Sequence, residues 1–125
     1  MKTIINTNNA PAPIGPYSQA TLAGGFLFVS GQIPIDPLSG ELISGDIKAE
    51  ATQVMENIKA ILTEAGLGFD NIVKTSIFLT DLQNFVQVNE VYGTYFTADF
   101  PARETIQVSA LPKGVNVEIS VIAVK

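Results

Sequence analysis

The sequence predicts an α+β fold, a single mixed β-sheet with two helices packed on one face, and three observations carry that prediction. The first is a helical stripe: Ile47, Ala51, Val54, Met55, Ile58, Ile61, Leu62 and Ala65 fall on one side of a helix. The second is the glycine pair Gly24-Gly25 between Ser18–Leu22 and Phe26–Ser30, a hairpin signature. The third is a set of alternating stretches rich in Thr, Ile, Val and Phe over 72–79, 104–110 and 115–124.

Taken in order, Ala10-Pro11-Ala12-Pro13-Ile14-Gly15-Pro16 cannot be helical, because proline lacks an N–H donor and restricts the residue before it. It reads as an ordered loop that delivers Tyr17. Asp36-Pro37-Leu38-Ser39-Gly40 is a turn, with Pro early and Gly late. Asp46 caps the long helix and Gly66 stops it. After the strand Ile72–Leu79, Asp81 caps a second helix whose stripe is Phe85, Val88, Tyr92, Tyr95 and Phe96. Two strands, Glu104–Ala110 and Val115–Val124, close the chain as a hairpin across Leu111-Pro112-Lys113-Gly114. The expected order is strand, strand, helix, strand, helix, strand, strand, in one domain over 1–125.

Composition narrows the chemistry. The 125 residues include neither cysteine nor histidine. Disulfides, thiolate zinc sites, Cys nucleophiles, Ser-His-Asp catalysis and imidazole metal ligands are therefore excluded. Carboxylates, Arg, Lys, Tyr, hydroxyls, backbone groups and water remain. No D-x-D-x-D-G loop and no acidic run points to a metal. Seven basic against twelve acidic residues give a net charge of −5, and no Lys/Arg cluster favours nucleic acid as a partner. The opening Met1–Asn6 lacks a signal peptide's apolar stretch, and no apolar run has membrane-spanning length, so a cytoplasmic location without a membrane partner is expected. Mean hydropathy is +0.30 with 15% charged residues. A small domain this apolar is expected to hide surface against copies of itself, and the sheet face without helices is the surface that needs cover.

The closing strands carry the candidate chemistry. Ile106, Val108 and Ala110 are apolar on one face, with Arg103, Thr105, Gln107 and Ser109 on the other. On the last strand Val117, Ile119, Val121 and Ala123 are apolar, with Glu118 and Ser120 opposite. Matching the apolar sets across a hairpin sets Ser109 against Glu118, so Arg103 and Glu118 share the face away from the helices. Arg103 then lies roughly 20 Å along the strand from Ser109. The two side chains are too far apart to meet around one small ligand in one chain, so the working pair is expected to come from two subunits.

These residues carry a resemblance. The sequence resembles the RidA (YjgF-type) reactive-intermediate deaminases over essentially its whole length. The matching segments are Ala10-Pro11, Ile14-Gly15-Pro16-Tyr17-Ser18-Gln19, Ser30-Gly31-Gln32-Ile33-Pro34 and Val88-Asn89-Glu90-Val91-Tyr92. Phe100-Pro101-Ala102-Arg103, Leu111-Pro112-Lys113-Gly114 and Val117-Glu118-Ile119 continue the series. The resemblance implies a homotrimer with a barrel-like sheet core, a chorismate mutase-like assembly, with three sites between subunits. It implies hydrolysis of 2-imino acids, notably 2-iminobutanoate and 2-iminopropanoate, to 2-oxo acids and ammonia, with no cofactor.

Residue by residue, the resemblance implies that Arg103 binds the substrate carboxylate through its planar fork of donors. A salt bridge between subunits is the alternative role for Arg103. Glu118 is implied to position the attacking water, against a plain ion pair with a neighbouring chain. Thr105 stands where a backbone carbonyl meets the imino nitrogen; many relatives carry Cys there, so a backbone role survives and a thiol role does not. Tyr17 closes the pocket or anchors its loop, Ser30 and Gly31 offer backbone donors or merely end a strand, and Asn89 contacts the ligand or braces a loop. Glu104 is expected on the helix side of the sheet. The alternative to an enzyme is a non-catalytic, small-metabolite-binding or chaperone-like trimer, which needs the Arg103 pocket but not Glu118.

Overall fold

The computed structural model describes residues 1–125. Six strands form one mixed sheet: β1 (Thr3–Ile5), β2 (Ala20–Ala23), β3 (Phe26–Gln32), β4 (Ile72–Leu79), β5 (Ala102–Gln107) and β6 (Val117–Val124). Their spatial order is β1-β2-β3-β6-β4-β5, with β4 and β5 parallel and every other neighbour antiparallel. The helices are α1 (Ile47–Glu64) and α2 (Phe85–Gly93).

Local chemistry explains each element. Gly24 and Gly25 take positive φ of 58° and 83°, as a two-residue hairpin turn between β2 and β3 requires. Asp46 caps α1 by accepting from the Lys48 N–H at 3.1 Å. At the other end Gly66 adopts a φ of 76°, the Gly66 N–H donates to Thr63 O, and the Leu67 N–H donates to Leu62 O. That double bond pattern is a Schellman stop. Asp81 caps a 3₁₀ turn, Leu82–Asn84, rather than α2 itself, which follows directly from it.

The stripe of α1 packs on the sheet. Val54, Met55, Ile58, Ile61 and Leu62 are buried against Leu27, Ile77, Leu79, Val117, Ile119 and Val121. Each such side chain contributes roughly 1.5–3 kcal/mol by leaving water. Buried polar groups tie the loops to this core. Gln19 donates to the carbonyls of Thr7, Ala10 and Pro11, and accepts from the Thr7 N–H. Asn57 donates to the carbonyls of Ile33 and Ile35. Glu50 accepts from both the backbone N–H and the side-chain amide of Asn116.

Several features depart from the sequence expectation: α2 ends at Gly93, short of Tyr95 and Phe96 in the predicted stripe, and β5 spans Ala102–Gln107 rather than Glu104–Ala110. β1 is an additional edge strand on β2, too short at three residues to show alternation. The closing hairpin does not form: β6 lies in the middle of the sheet, paired with β3 and β4, and β5 runs parallel to β4 at the edge. Both edges of β6 are occupied, so β5 is led to the free edge of β4 by the helical crossover α2, the connection a parallel neighbour needs.

The face without helices is largely uncovered. Phe26, Phe28 and Ile106 are 44%, 46% and 45% exposed there, too much for side chains of that size in a finished core.

Candidate active site

Glu118 follows the first residue of β6 and pairs across the ladder with Phe78, on the open face. Beside it the β3–β6 register is irregular between Val29 and Gln32, and Ser30-Gly31 fall in that irregular stretch. Gly31 lies directly against the carboxylate: a Cβ there would stand 2.7 Å from Glu118 Cδ and closer still to Oε2. Glycine is what lets the backbone approach the acid. Together with Ile14, Tyr17, Ser30, Ile33 and Pro112, these two residues line a cavity of about 350 Å³. Glu118 has neither an ion-pair nor a hydrogen-bond partner in the chain, and burial raises its carboxyl pKa above the ordinary 4.5.

The other site residues around this hollow are held by backbone contacts. The Ser30 hydroxyl donates to the Ser18 carbonyl at 2.6 Å, and the Ser30 N–H donates to the Gln19 carbonyl. The Tyr17 hydroxyl accepts from the Ile14 N–H at 3.3 Å, closing the Pro-rich loop on itself, while the ring stays 48% exposed at the cavity mouth.

Arg103 lies elsewhere. It pairs with Thr75 in the β4–β5 ladder, and its guanidinium sits 5.6 Å from the Phe85 ring and 5.1 Å from the Tyr92 ring, both on α2. Arg103 therefore points to the helix face. It makes no salt bridge. The Tyr92 hydroxyl bonds the Thr75 hydroxyl at 2.9 Å in a buried setting. Burial raises the Tyr92 pKa, opposed by the Thr75 bond and by the nearby Arg103 charge. Thr105, two residues on and on the same face, has a buried hydroxyl without any partner. Asn89 sits between Phe85 and Tyr92 on the same side of α2.

The structure thus sorts the sequence candidates into two groups. Tyr17, Ser30, Gly31 and Glu118 share one hollow; Arg103 lies on the rings of Phe85 and Tyr92, with Thr105 on the same face of β5 and Asn89 on the same side of α2. The expectation that Arg103 and Glu118 share a face is corrected: with β5 parallel to β4, Ile106 takes the register position of Phe78 and Glu118, and Arg103 falls on the opposite side. The same shift corrects Glu104, which lies on the open face, bonded to Ser76 and paired with Lys74 at 2.9 Å. Those two partners hold its carboxyl below the usual range.

The sequence gives Ile14, Ile33, Pro112 and Tyr92 as parts of matching segments, and Phe85 and again Tyr92 as parts of the α2 stripe, without marking them as neighbours of the candidates. Their apolar character gave no cue beyond packing. A larger hollow of about 580 Å³ lies along α1, lined by Thr7, Asp36, Gln53, Glu56, Lys59 and Glu64 among others, and contains none of the candidates. No group of three or more acidic side chains is placed to hold a metal ion, and no helix is long and apolar enough to cross a membrane.

Known proteins share this architecture. A RutC family protein of Pyrococcus horikoshii is 54% identical over 125 residues, covering 100% of this chain and 99% of that protein. The human 2-iminobutanoate/2-iminopropanoate deaminase is 47% identical over 125 residues, covering 100% of this chain and 91% of that enzyme. The crystal structure of E. coli TdcF with bound serine superposes with a TM-score of 0.94 at 44% identity, covering 98% of each chain. The family model described as Endoribonuclease L-PSP matches residues 7–125, and with these relatives it establishes that the chain belongs to that family, the RidA/YjgF group of proteins.

Proposed function

We propose that this protein is an imine deaminase, hydrolysing 2-imino and enamine acids such as 2-iminobutanoate and 2-iminopropanoate to 2-oxo acids and ammonia. The observation that carries the reading is the pair of unpartnered charges on opposite sheet faces, Arg103 and Glu118. Neither half-site can complete the chemistry in its own chain, so residues 1–125 act as one unit of a homotrimer. Open sheet faces cover one another in a barrel-like, chorismate mutase-like core, which accounts for exposed Phe26, Phe28 and Ile106. Each site joins the Glu118 hollow of one subunit to the Arg103 shelf of the next.

In that site Arg103 holds the substrate carboxylate by two parallel N–H···O bonds, each charge-assisted and worth roughly 1.5–3 kcal/mol. The Thr105 backbone carbonyl receives the imino N–H, and Asn89, Tyr17, Ser30 and Gly31 shape the surroundings. Glu118, with its raised pKa, orients a water and takes its proton as the oxygen bonds the imino carbon. That proton passes to nitrogen, giving a carbinolamine; Glu118 then takes the hydroxyl proton as the C=O bond forms and the C–N bond breaks, this second proton also goes to nitrogen, and a 2-oxo acid and ammonia leave. An acidic chain without histidine suits this reaction better than RNA cleavage, which needs phosphate-binding cations. The location we propose is the cytoplasm.

The test is 2-oxo acid release from freshly generated 2-iminobutanoate by Arg103→Ala and Glu118→Ala. A loss of roughly a hundredfold or more is expected for each, the scale of one lost charged contact or one lost base. Release undiminished in both would refute the mechanism. A binding or chaperone-like trimer would lose ligand in Arg103→Ala alone.

A further inference from the structure

We infer that Tyr92 is a positioning residue, which together with Phe85 holds the Arg103 guanidinium by its face so that its edge stays free for the substrate carboxylate. The inference rests on the deaminase reading for its kinetic consequence, but not for its geometry.

An arginine can be held in two ways. A carboxylate or carbonyl bonds the N–H groups in the guanidinium plane and uses up the donors that would grip a ligand. An aromatic ring attracts the charge through the face of the plane and leaves all five donors available. Arg103 has partners of the second kind: its guanidinium carbon stands over the Tyr92 ring at 5.1 Å and over the Phe85 ring at 5.6 Å, with no salt bridge.

The Tyr92 ring is itself fixed. It is 5% exposed, packs at 4.8 Å on Phe96, and its hydroxyl donates to the Thr75 hydroxyl at 2.9 Å. Thr75 is the residue beside Arg103 in the β4–β5 ladder. The strand that sets the Arg103 backbone therefore also sets the ring beneath its side chain. Loss of the ring leaves a long, flexible side chain to be ordered by the substrate, which weakens binding and leaves the chemistry at C–N untouched.

The experiment uses the full chain with Phe85→Leu, Tyr92→Leu and Tyr92→Phe. Two readouts are taken: KM and kcat for 2-iminobutanoate, and the Arg103 Nε–Hε resonance, which is expected upfield if the guanidinium lies over the ring faces. Phe85→Leu and Tyr92→Leu should each raise KM roughly three- to tenfold, the scale of a cation–π contact, with kcat within about twofold. Tyr92→Phe keeps the ring, so its KM should lie between the parent and Tyr92→Leu. The resonance should move downfield in both leucine variants. If Tyr92→Leu does not fold, Phe85→Leu, altering a ring that is 37% exposed, decides the matter. An unchanged KM in folded leucine variants, or a fall in kcat at constant KM, overturns the role. If the parent protein releases no 2-oxo acid, the deaminase reading fails by itself. The resonance then judges the clamp: no displacement on ring removal overturns it.

Discussion

On the open face of the sheet Glu118 lies in a hollow walled by Ile14, Ile33 and Pro112; on the helix face Arg103 lies on the rings of Phe85 and Tyr92. Both are charged groups without a counter-ion in their own chain, yet the fold treats them oppositely. Apolar surroundings destabilise the carboxylate and raise its pKa, which makes it a better base. Aromatic faces stabilise the guanidinium without consuming its donors. One charge is made more basic and the other is left free of an ion pair, and the sheet lies between them.

The sharpest way to break this comparison is to mix its halves. If each site takes Glu118 from one chain and Arg103 from the next, inactive Arg103→Ala and Glu118→Ala chains, co-refolded in equal amounts, should recover roughly a quarter of parental activity, because a quarter of random interfaces carry both residues. No recovery above the separate variants would place the two residues in one chain's site, or in none.

Gly31→Ala sharpens the Glu118 half. The new methyl would meet the carboxylate, whose Cδ lies 2.7 Å from the ideal Cβ position, so the acid must swing away. Gly31 needs no positive φ, so the fold should persist. We expect kcat to fall roughly tenfold to a hundredfold, as misplacement of a catalytic group does, with little change in KM. A variant with parental kcat would mean that the carboxylate position does not matter.

The smallest effect concerns stability. Burial places the folded pKa of Glu118 above its unfolded value. A carboxyl raised in this way contributes stability that is fully present below the unfolded pKa and lost as pH rises through the folded pKa. At neutral pH the ionised acid therefore weakens the fold. Glu118→Gln should melt slightly above the parent at pH 7 while losing activity, and that gap should close below the ordinary value of 4.5. Thermal melts across that range check it; equal melting at every pH would mean that the acid is solvated.

How much of this was legible in the sequence depended on the range of the interaction. Asp46, Gly24-Gly25 and Gly66 act on backbone within a few residues, and the caps and turns they predict are present where expected. The stripe of α1 is a local periodicity, and it is the face that is buried. The strand Ile72–Leu79 also matches its predicted limits.

The partner of β5 was not legible. Alternation says that a strand has two faces, but not which neighbour it will lie beside. Arg103 and Glu118 were read onto one face because β5 and β6 are adjacent in sequence, whereas the central position of β6 leaves β5 only the outer edge of β4. That choice decides the parity of every side chain on β5, and with it the separation of Arg103 from Glu118 and the placement of Glu104 beside Lys74. By itself the sequence determined the long helix, the strand Ile72–Leu79, the helix-covered core and the residue types available for chemistry, since these follow from local propensity and periodicity. Only the tertiary structure decided which face each charge occupies and what lies under it, because strand order is a competition among edges that no single segment contains.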